Sequence, residues 1–244
     1  MERKVALIAG GARGIGRAIA LALSDKGWNI AICYRKSESD AKSLEAELTV
    51  KGTEFMSVRA DVSNADEAAS LVKEVESKFG RIDALINSAG PYHRVNLLEE
   101  TPEGWREMFD NNLHPLFYLA QAVAPGMKER KWGRIVSFSM ANADQHNAQP
   151  TVTAHYIAKE GLLSLTRSLA KVLAPFGITA NTVSPGFVDS GSAPPEELQK
   201  MVKSIPAGYI GTTDDAVAAV CYLISDEARY VNGSNIHLSG AWGI

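Results

Sequence analysis

An excess of charge of either sign is missing from this chain. Its 25 Lys and Arg stand against 28 Asp and Glu, a net charge of −3 over 244 residues. That balance gives no electrostatic reason to expect nucleic acid or an anionic membrane surface as a partner. Cysteine is scarce. Cys33 and Cys221 lie in the apolar runs AICY and AVCYLI and read as buried thiols, without metal spacing. His93, His114, His146 and His237 show no metal spacing either. No apolar run is long enough to span a bilayer. The opening MERKVALIAGG lacks the apolar region and cleavage site of a signal peptide. A cytoplasmic protein is the expectation.

What is present is the composition of an ordinary globular protein, 45% hydrophobic and 22% charged. The length suits one domain spanning residues 1–244. Short apolar runs recur at Val5–Ala9, Ile30–Tyr34, Glu54–Arg59, Ala84–Asn87, Arg134–Phe138, Thr179–Ser184 and Asn235–Leu238. Most are continuous rather than alternating, the pattern of strands buried on both faces. Amphipathic stretches such as Ile15–Lys26 and Ala65–Lys78 lie between them. Gly27, Gly52, Gly80, Gly133 and Gly177 precede strands, where glycine can close a helix in the left-handed conformation. Strands alternating with helices predict an α/β fold: a doubly wound, parallel, seven-stranded sheet of Rossmann type with helices on both faces. The least regular stretch, Ser184–Pro206, holds four prolines and reads as a segment over a binding site.

The first strand runs into Ala9-Gly10-Gly11-Ala12-Arg13-Gly14-Ile15-Gly16, where a helix begins. Glycines at this junction let backbone N–H groups approach a pyrophosphate at the positive helix end. A tight strand–helix turn without ligand explains the same loop. Three further features favour a ligand: Asp61-Val62 after the third strand, Asn87-Ser88-Ala89-Gly90 after the fourth, and Pro185-Gly186 after the sixth. All fall at carboxyl ends of strands, where open α/β sheets bind ligands.

In this order the motifs resemble the short-chain dehydrogenase/reductase family over essentially the whole chain. Ala9 stands where that family usually has Thr, and Ser88 replaces the second Asn of its turn. The resemblance implies a nicotinamide dinucleotide held by Gly10, Arg13, Gly14, Ile15, Gly16, Asp61, Val62, Asn87, Ala89, Gly90, Lys159, Pro185 and Gly186. Charge selects the dinucleotide. The second strand ends Cys33-Tyr34-Arg35-Lys36, and no acid for a ribose 2′-OH follows before Glu38. Arg35 and Arg13 can clamp a 2′-phosphate instead, so NADP(H) is expected.

The family's proton-transfer groups match less well. Lys159, with the following GLLSLTRSLA, fits the family's catalytic helix, and Asn112 fits its relay asparagine. Pro115 either breaks the helix carrying Asn112, as would suit a water relay toward Lys159, or only kinks it. Four residues before Lys159, where the family has Tyr, stands His155, and Tyr156 follows. The family's serine position falls on Met140, with Ser139 just before it. The Met140–His155 spacing exceeds the usual one by two residues, and such an insertion can rotate Ser139 into place. Three readings stay open. Tyr156 is the acid, brought in by a helix distortion near Ile157; His155 serves instead; or the chain binds NADP(H) with little catalysis, as a regulatory or structural protein.

Within the family, PGFVDS, SIPAGYIG and SDEARYVNGSNIHLSG look like 3-oxoacyl-acyl-carrier-protein reductases. That implies an NADPH-dependent carbonyl reductase or alcohol dehydrogenase. The Gly191–Pro195 stretch is short and proline-rich, and apolar Pro175-Phe176 occupies a turn where such reductases often carry positive charge. An acyl-carrier-protein-linked substrate is therefore one candidate beside a small ketone, steroid-like or pterin substrate. The apolar end IHLSGAWGI, with the family's habit, suggests a homotetramer.

Overall fold

The computed structural model describes residues 3–191 and 195–244. The elements in chain order are β1 (Val5–Ala9), α1 (Gly14–Asp25), β2 (Asn29–Tyr34), α2 (Glu38–Val50), β3 (Phe55–Arg59), α3 (Ala65–Phe79) and β4 (Ala84–Asn87). They continue with α4 (Pro102–Asn112), α5 (His114–Arg130), β5 (Gly133–Phe138), α6 (Thr153–Leu173), β6 (Ile178–Pro185), β7 (Val188–Asp189), α7 (Pro195–Val202), β8 (Gly211–Thr212), α8 (Thr213–Leu223) and β9 (Asn235–Leu238). Seven strands form one parallel sheet in the order β3-β2-β1-β4-β5-β6-β9, and β7 pairs with β8 apart from it. All seven expected strands are present.

Every residue of β1, β4 and β5 is buried. Successive side chains leave opposite faces of a strand. Val5, Leu7 and Ala9 therefore pack with Leu71 of α3, Leu119 of α5 and Leu162 of α6. Ala6 and Ile8 pack with Ile19 of α1, Leu44 of α2 and Val220 of α8. Each fully buried Leu or Ile contributes roughly 1.5–3 kcal/mol. Burial on both faces thus accounts for continuous rather than alternating apolar strands.

Gly27, Gly52, Gly80 and Gly177 have positive φ, as the sequence predicts, but Gly133 does not. Lys131 takes the left-handed turn there, and Gly133 opens β5. Its lack of a side chain serves packing, since a Cβ would meet Met127 Sδ at 2.5 Å. The break at Pro115 is real: α4 ends at Asn112, and Pro115 sits in the first turn of α5.

The strand order reverses beside β1, with β2 on one side and β4 on the other. Crossovers leave toward opposite faces at that point and open a crevice at the carboxyl ends of the strands. Most of the expected site residues follow those ends. Within Ser184–Pro206 the structure shows β7 and α7, whereas residues 192–194, part of the Gly191–Pro195 stretch, lie outside the described residues.

Candidate active site

A cleft of about 420 Å³ lies at the switch point. Gly10, Arg13, Gly14, Ile15, Gly16, Arg35, Asp61, Val62, Ala89 and Gly90, all expected at the cofactor, line it. Gly10 has φ +74, and a Cβ on it would stand 3.0 Å from the Ala89 backbone. A Cβ on Gly16 would lie 2.5 Å from the Gly10 carbonyl oxygen and 2.7 Å from Ser88 Oγ. The Ser88 hydroxyl donates to the Ala9 carbonyl at 2.8 Å, tying the β4 turn to β1. Arg13 is the N-cap of α1 and provides no side-chain cap. The first N–H groups of that helix have no intrahelical partner and face a site suited to a phosphate. The glycine cradle and the uncapped helix end fit a dinucleotide pyrophosphate.

Four expected cofactor residues lie off the lining of this cleft. Asn87 is buried beneath it, and its Oδ1 has no hydrogen-bond partner. Pro185 ends β6, and a Cβ on Gly186 would lie 3.0 Å from Ser239 and 3.4 Å from Trp242. Lys159 stands behind Gly90, its Nζ 3.3 Å from where a Gly90 Cβ would be.

Gly90, Asn112 and Lys159 converge. A Cβ on Gly90 would collide with Asn112 Oδ1, which is buried without a partner. The Asn112 amide is fixed by donating to the Pro91 carbonyl at 3.1 Å and the Met108 carbonyl at 3.0 Å. Lys159 Nζ donates to the Phe138 carbonyl at 2.9 Å. Burial lowers the Lys159 pKa to about 8, so its ammonium is a readier proton donor than an exposed lysine.

His155 is buried on α6 one turn before Lys159, on the same helix face. Burial, then the Lys159 charge, lowers its pKa to about 3 against an opposing interaction with the Pro91 backbone; the charge of His93 lowers it further. The imidazole is therefore neutral near pH 7. Tyr92 meets it edge to face, with ring centroids 5.2 Å apart. His155 Nδ1 is buried without a hydrogen-bond partner. Nearby His93 is held by Glu100 at 2.8 Å.

The helix distortion expected near Ile157 is absent. α6 runs unbroken from Thr153 to Leu173, with Tyr156 N–H donating to the Val152 carbonyl at 2.9 Å. A helical step of 100° turns Tyr156 away from His155. Its hydroxyl donates to the Asn142 carbonyl at 2.9 Å and accepts from Asn147 N–H at 3.1 Å. The phenol thus pins the β5–α6 connection instead of joining Lys159. Ser139 is likewise not rotated into the family's serine place: its hydroxyl donates to the Lys159 carbonyl at 2.7 Å. In that connection Asn142 and His146 adopt positive φ. It rests on the chain end, Asp144 accepting from His237 at 2.8 Å and Gln145 donating to the Gly243 carbonyl at 2.9 Å.

Sequence reasoning missed Asn111, Ser190 and Tyr92. Asn111 and Ser190 line the cleft. Ser190 ends the quoted PGFVDS motif, which signals it; a lone asparagine before Asn112 carries no such mark. Among the described residues no group of three His, Cys, Asp or Glu can hold a metal, and no helix is long and apolar enough to cross a membrane.

Comparison with known proteins agrees with the geometry. Residues 10–241 match the family model described as enoyl-(acyl carrier protein) reductase. The 3-oxoacyl-[acyl-carrier-protein] reductase FabG of Staphylococcus aureus is 37% identical over 241 residues, 97% of each chain. The 3-oxoacyl-[acyl-carrier-protein] reductase of Synechocystis is 34% identical over 98% of this chain and 97% of its own. Among solved structures, gox2181 superposes with a TM-score of 0.91 at 30% identity, covering 99% of this chain and 96% of that one. A Sinorhizobium meliloti protein described as a short-chain alcohol dehydrogenase has a TM-score of 0.91 at 26% identity, over 99% and 97%. With the glycine cradle, the convergence of Asn112 and Lys159 on Gly90 and near full-length matches together, the chain belongs to the short-chain dehydrogenase/reductase family of nicotinamide-dependent oxidoreductases.

Proposed function

We propose that this chain works as a one-domain, cytoplasmic, NADPH-dependent carbonyl reductase or alcohol dehydrogenase in which His155, backed by Lys159, handles the proton. The position of His155 carries the reading. It stands four residues before Lys159 on the same face of an unbroken helix, while both sides of the Tyr156 hydroxyl are occupied elsewhere. A neutral imidazole can polarise a carbonyl by donating a hydrogen bond, and it needs no protonation to do so. Lys159, lowered to about 8, is the buried acid that can replace the donated proton through the ring. Asn112, with Oδ1 free, holds the water or group that recharges Lys159.

The nicotinamide supplies or takes the hydride when bound. Gly10, Gly14 and Gly16 hold its pyrophosphate, Asp61 the adenine, and Arg13 and Arg35 a 2′-phosphate. Met140 at the family's serine position leaves the substrate oxygen one donor short, a loss that costs oxyanion sites about 10²–10³ in rate. Turnover is therefore expected to be slow for the family. The names of the matched relatives make 3-oxoacyl groups on acyl-carrier protein the first substrates to try, with small ketones beside them.

A homotetramer is part of the same proposal. Phe117 on α5 and Val172 on α6 are 46% and 63% exposed, large for apolar side chains, and flank a groove lined by Gln121, Pro125 and Leu169. The test of function is NADPH consumption against a panel of ketones and 3-oxoacyl thioesters. Turnover of at least one carbonyl supports the reading, and inertness toward all of them, with NADPH bound, makes the chain a binding protein.

A further inference from the structure

The cleft end expected to take the adenosine holds a side-chain contact between residues that line it. Arg35 follows β2 and crosses the cleft toward α4. Its Nη1 donates to Asn111 Oδ1 at 2.9 Å and stands 3.4 Å from Asp61 Oδ2. The Asn111 amide is oriented by its own helix, because Nδ2 donates to the Glu107 carbonyl at 2.9 Å. Of the two ends of the Asn111 amide only the NH₂ can donate to that carbonyl, so the oxygen faces the guanidinium. Asp61 is fixed as well: its Oδ1 accepts from the Ser63 N–H at 3.1 Å and from the Ser63 hydroxyl at 2.6 Å. Two preset acceptors thus tie one of the two guanidiniums expected to meet a 2′-phosphate.

We propose that Asn111 sets the cofactor selectivity of this chain by holding Arg35 across the adenine end, so that the Nη1 arm of its fork meets a 2′-phosphate only as Arg35 leaves Asn111. The inference rests on the NADP(H) reading above. A guanidinium makes its strong bonds to phosphate as a planar fork, and the Nη1 arm of this fork is already held by an amide oxygen and a carboxylate, so a two-armed grip that uses Nη1 must release them. Asp61 is the acid expected to bind adenine and stays in place with or without Arg35. Asn111 has no other task in the cleft, since its second contact lies within α4. It is therefore a positioning residue, acting on the cofactor through Arg35. NADH has no 2′-phosphate and gains nothing when Arg35 is released, so the effect falls on one cofactor.

The test is a titration of NADPH and NADH, each followed by the fluorescence of its reduced nicotinamide, on the wild-type protein and on Asn111→Ala and Asn111→Ser. Alanine keeps the helix and removes the acceptor; serine keeps a polar group too short to reach Arg35. Both variants should bind NADPH about tenfold more tightly, near 1.4 kcal/mol, with the NADH dissociation constant unchanged. A wild-type preference for NADPH that neither variant raises overturns the role of Asn111. Equal weakening of both cofactors makes Asn111 an ordinary binding contact and also overturns it. Equal wild-type affinity for NADPH and NADH removes the underlying cofactor reading, and this shows before any variant is made.

Discussion

A histidine taken out of water beside an ammonium cannot hold its own proton, and His155 is in that situation. The consequence extends to stability. Its pKa is about 3 in the folded chain against 6.5 in the unfolded one. Above pH 6.5 neither state holds the proton; below it the unfolded chain binds one that the fold refuses. Stability is therefore full above pH 6.5 and is lost as pH falls toward 3. Lys159, about 8 folded against 10.5 unfolded, has the same sign at the alkaline end, where its burial penalty fades as pH rises from 8 to 10.5. His155→Gln should flatten the acid limb of urea-unfolding free energy by up to one proton, about 1.4 kcal/mol per pH unit. An unchanged slope between pH 6.5 and 3 would mean that the imidazole protonates within the fold. Residues like this are half legible in sequence. Spacing marked His155, Tyr156 and Lys159 as the centre, but which ring faces Lys159 depended on whether α6 is straight. Asn142 and Asn147, from a connection no motif describes, hold the Tyr156 hydroxyl in the straight helix.

At the scale of elements, the seven strands and the glycine loop were legible because burial on both faces and a phosphate-sized turn each leave a local signature. The small β7–β8 pair was not, being two residues a side and held by a single ladder. The β5–α6 connection was not legible either, because its shape depends on the far end of the chain. Asp144 accepts from His237 and from Asn235 at 3.2 Å, and its carboxylate pKa is lowered: those two side-chain hydrogen bonds and the His237 charge outweigh the burial that would raise it. Asp144→Ala should therefore free the connection that Tyr156 also pins. We expect a loss of about 0.5–1.5 kcal/mol, the net worth of a hydrogen bond between part-exposed groups. Amide exchange should quicken in residues 140–147, and KM should rise more than kcat falls. A cut in kcat with unchanged exchange would place Asp144 in the chemistry instead.

At the scale of the whole molecule, order reversal beside β1 opens the cleft where the cofactor is proposed to bind, and the exposed apolar faces of α5 and α6 are the proposed interface between copies. Val172→Glu places a charge on the proposed interface and should shift the light-scattering mass from a tetramer to a smaller species while the fold persists. A wild-type monomer at micromolar concentration would contradict the assembly. The central claim is that proton handling has moved from tyrosine to His155 without loss of reductase function. Its most direct test is NADPH consumption with the best carbonyl of the panel, on wild type, His155→Ala and Tyr156→Phe. The wild type should turn over, and His155→Ala should lose about 10²–10⁴-fold in kcat, the usual contribution of general acid–base catalysis, while still binding NADPH. Tyr156→Phe should keep turnover within about tenfold, since its hydroxyl serves the fold. Abolished turnover in Tyr156→Phe with substantial activity in His155→Ala would contradict the account and return the proton to tyrosine.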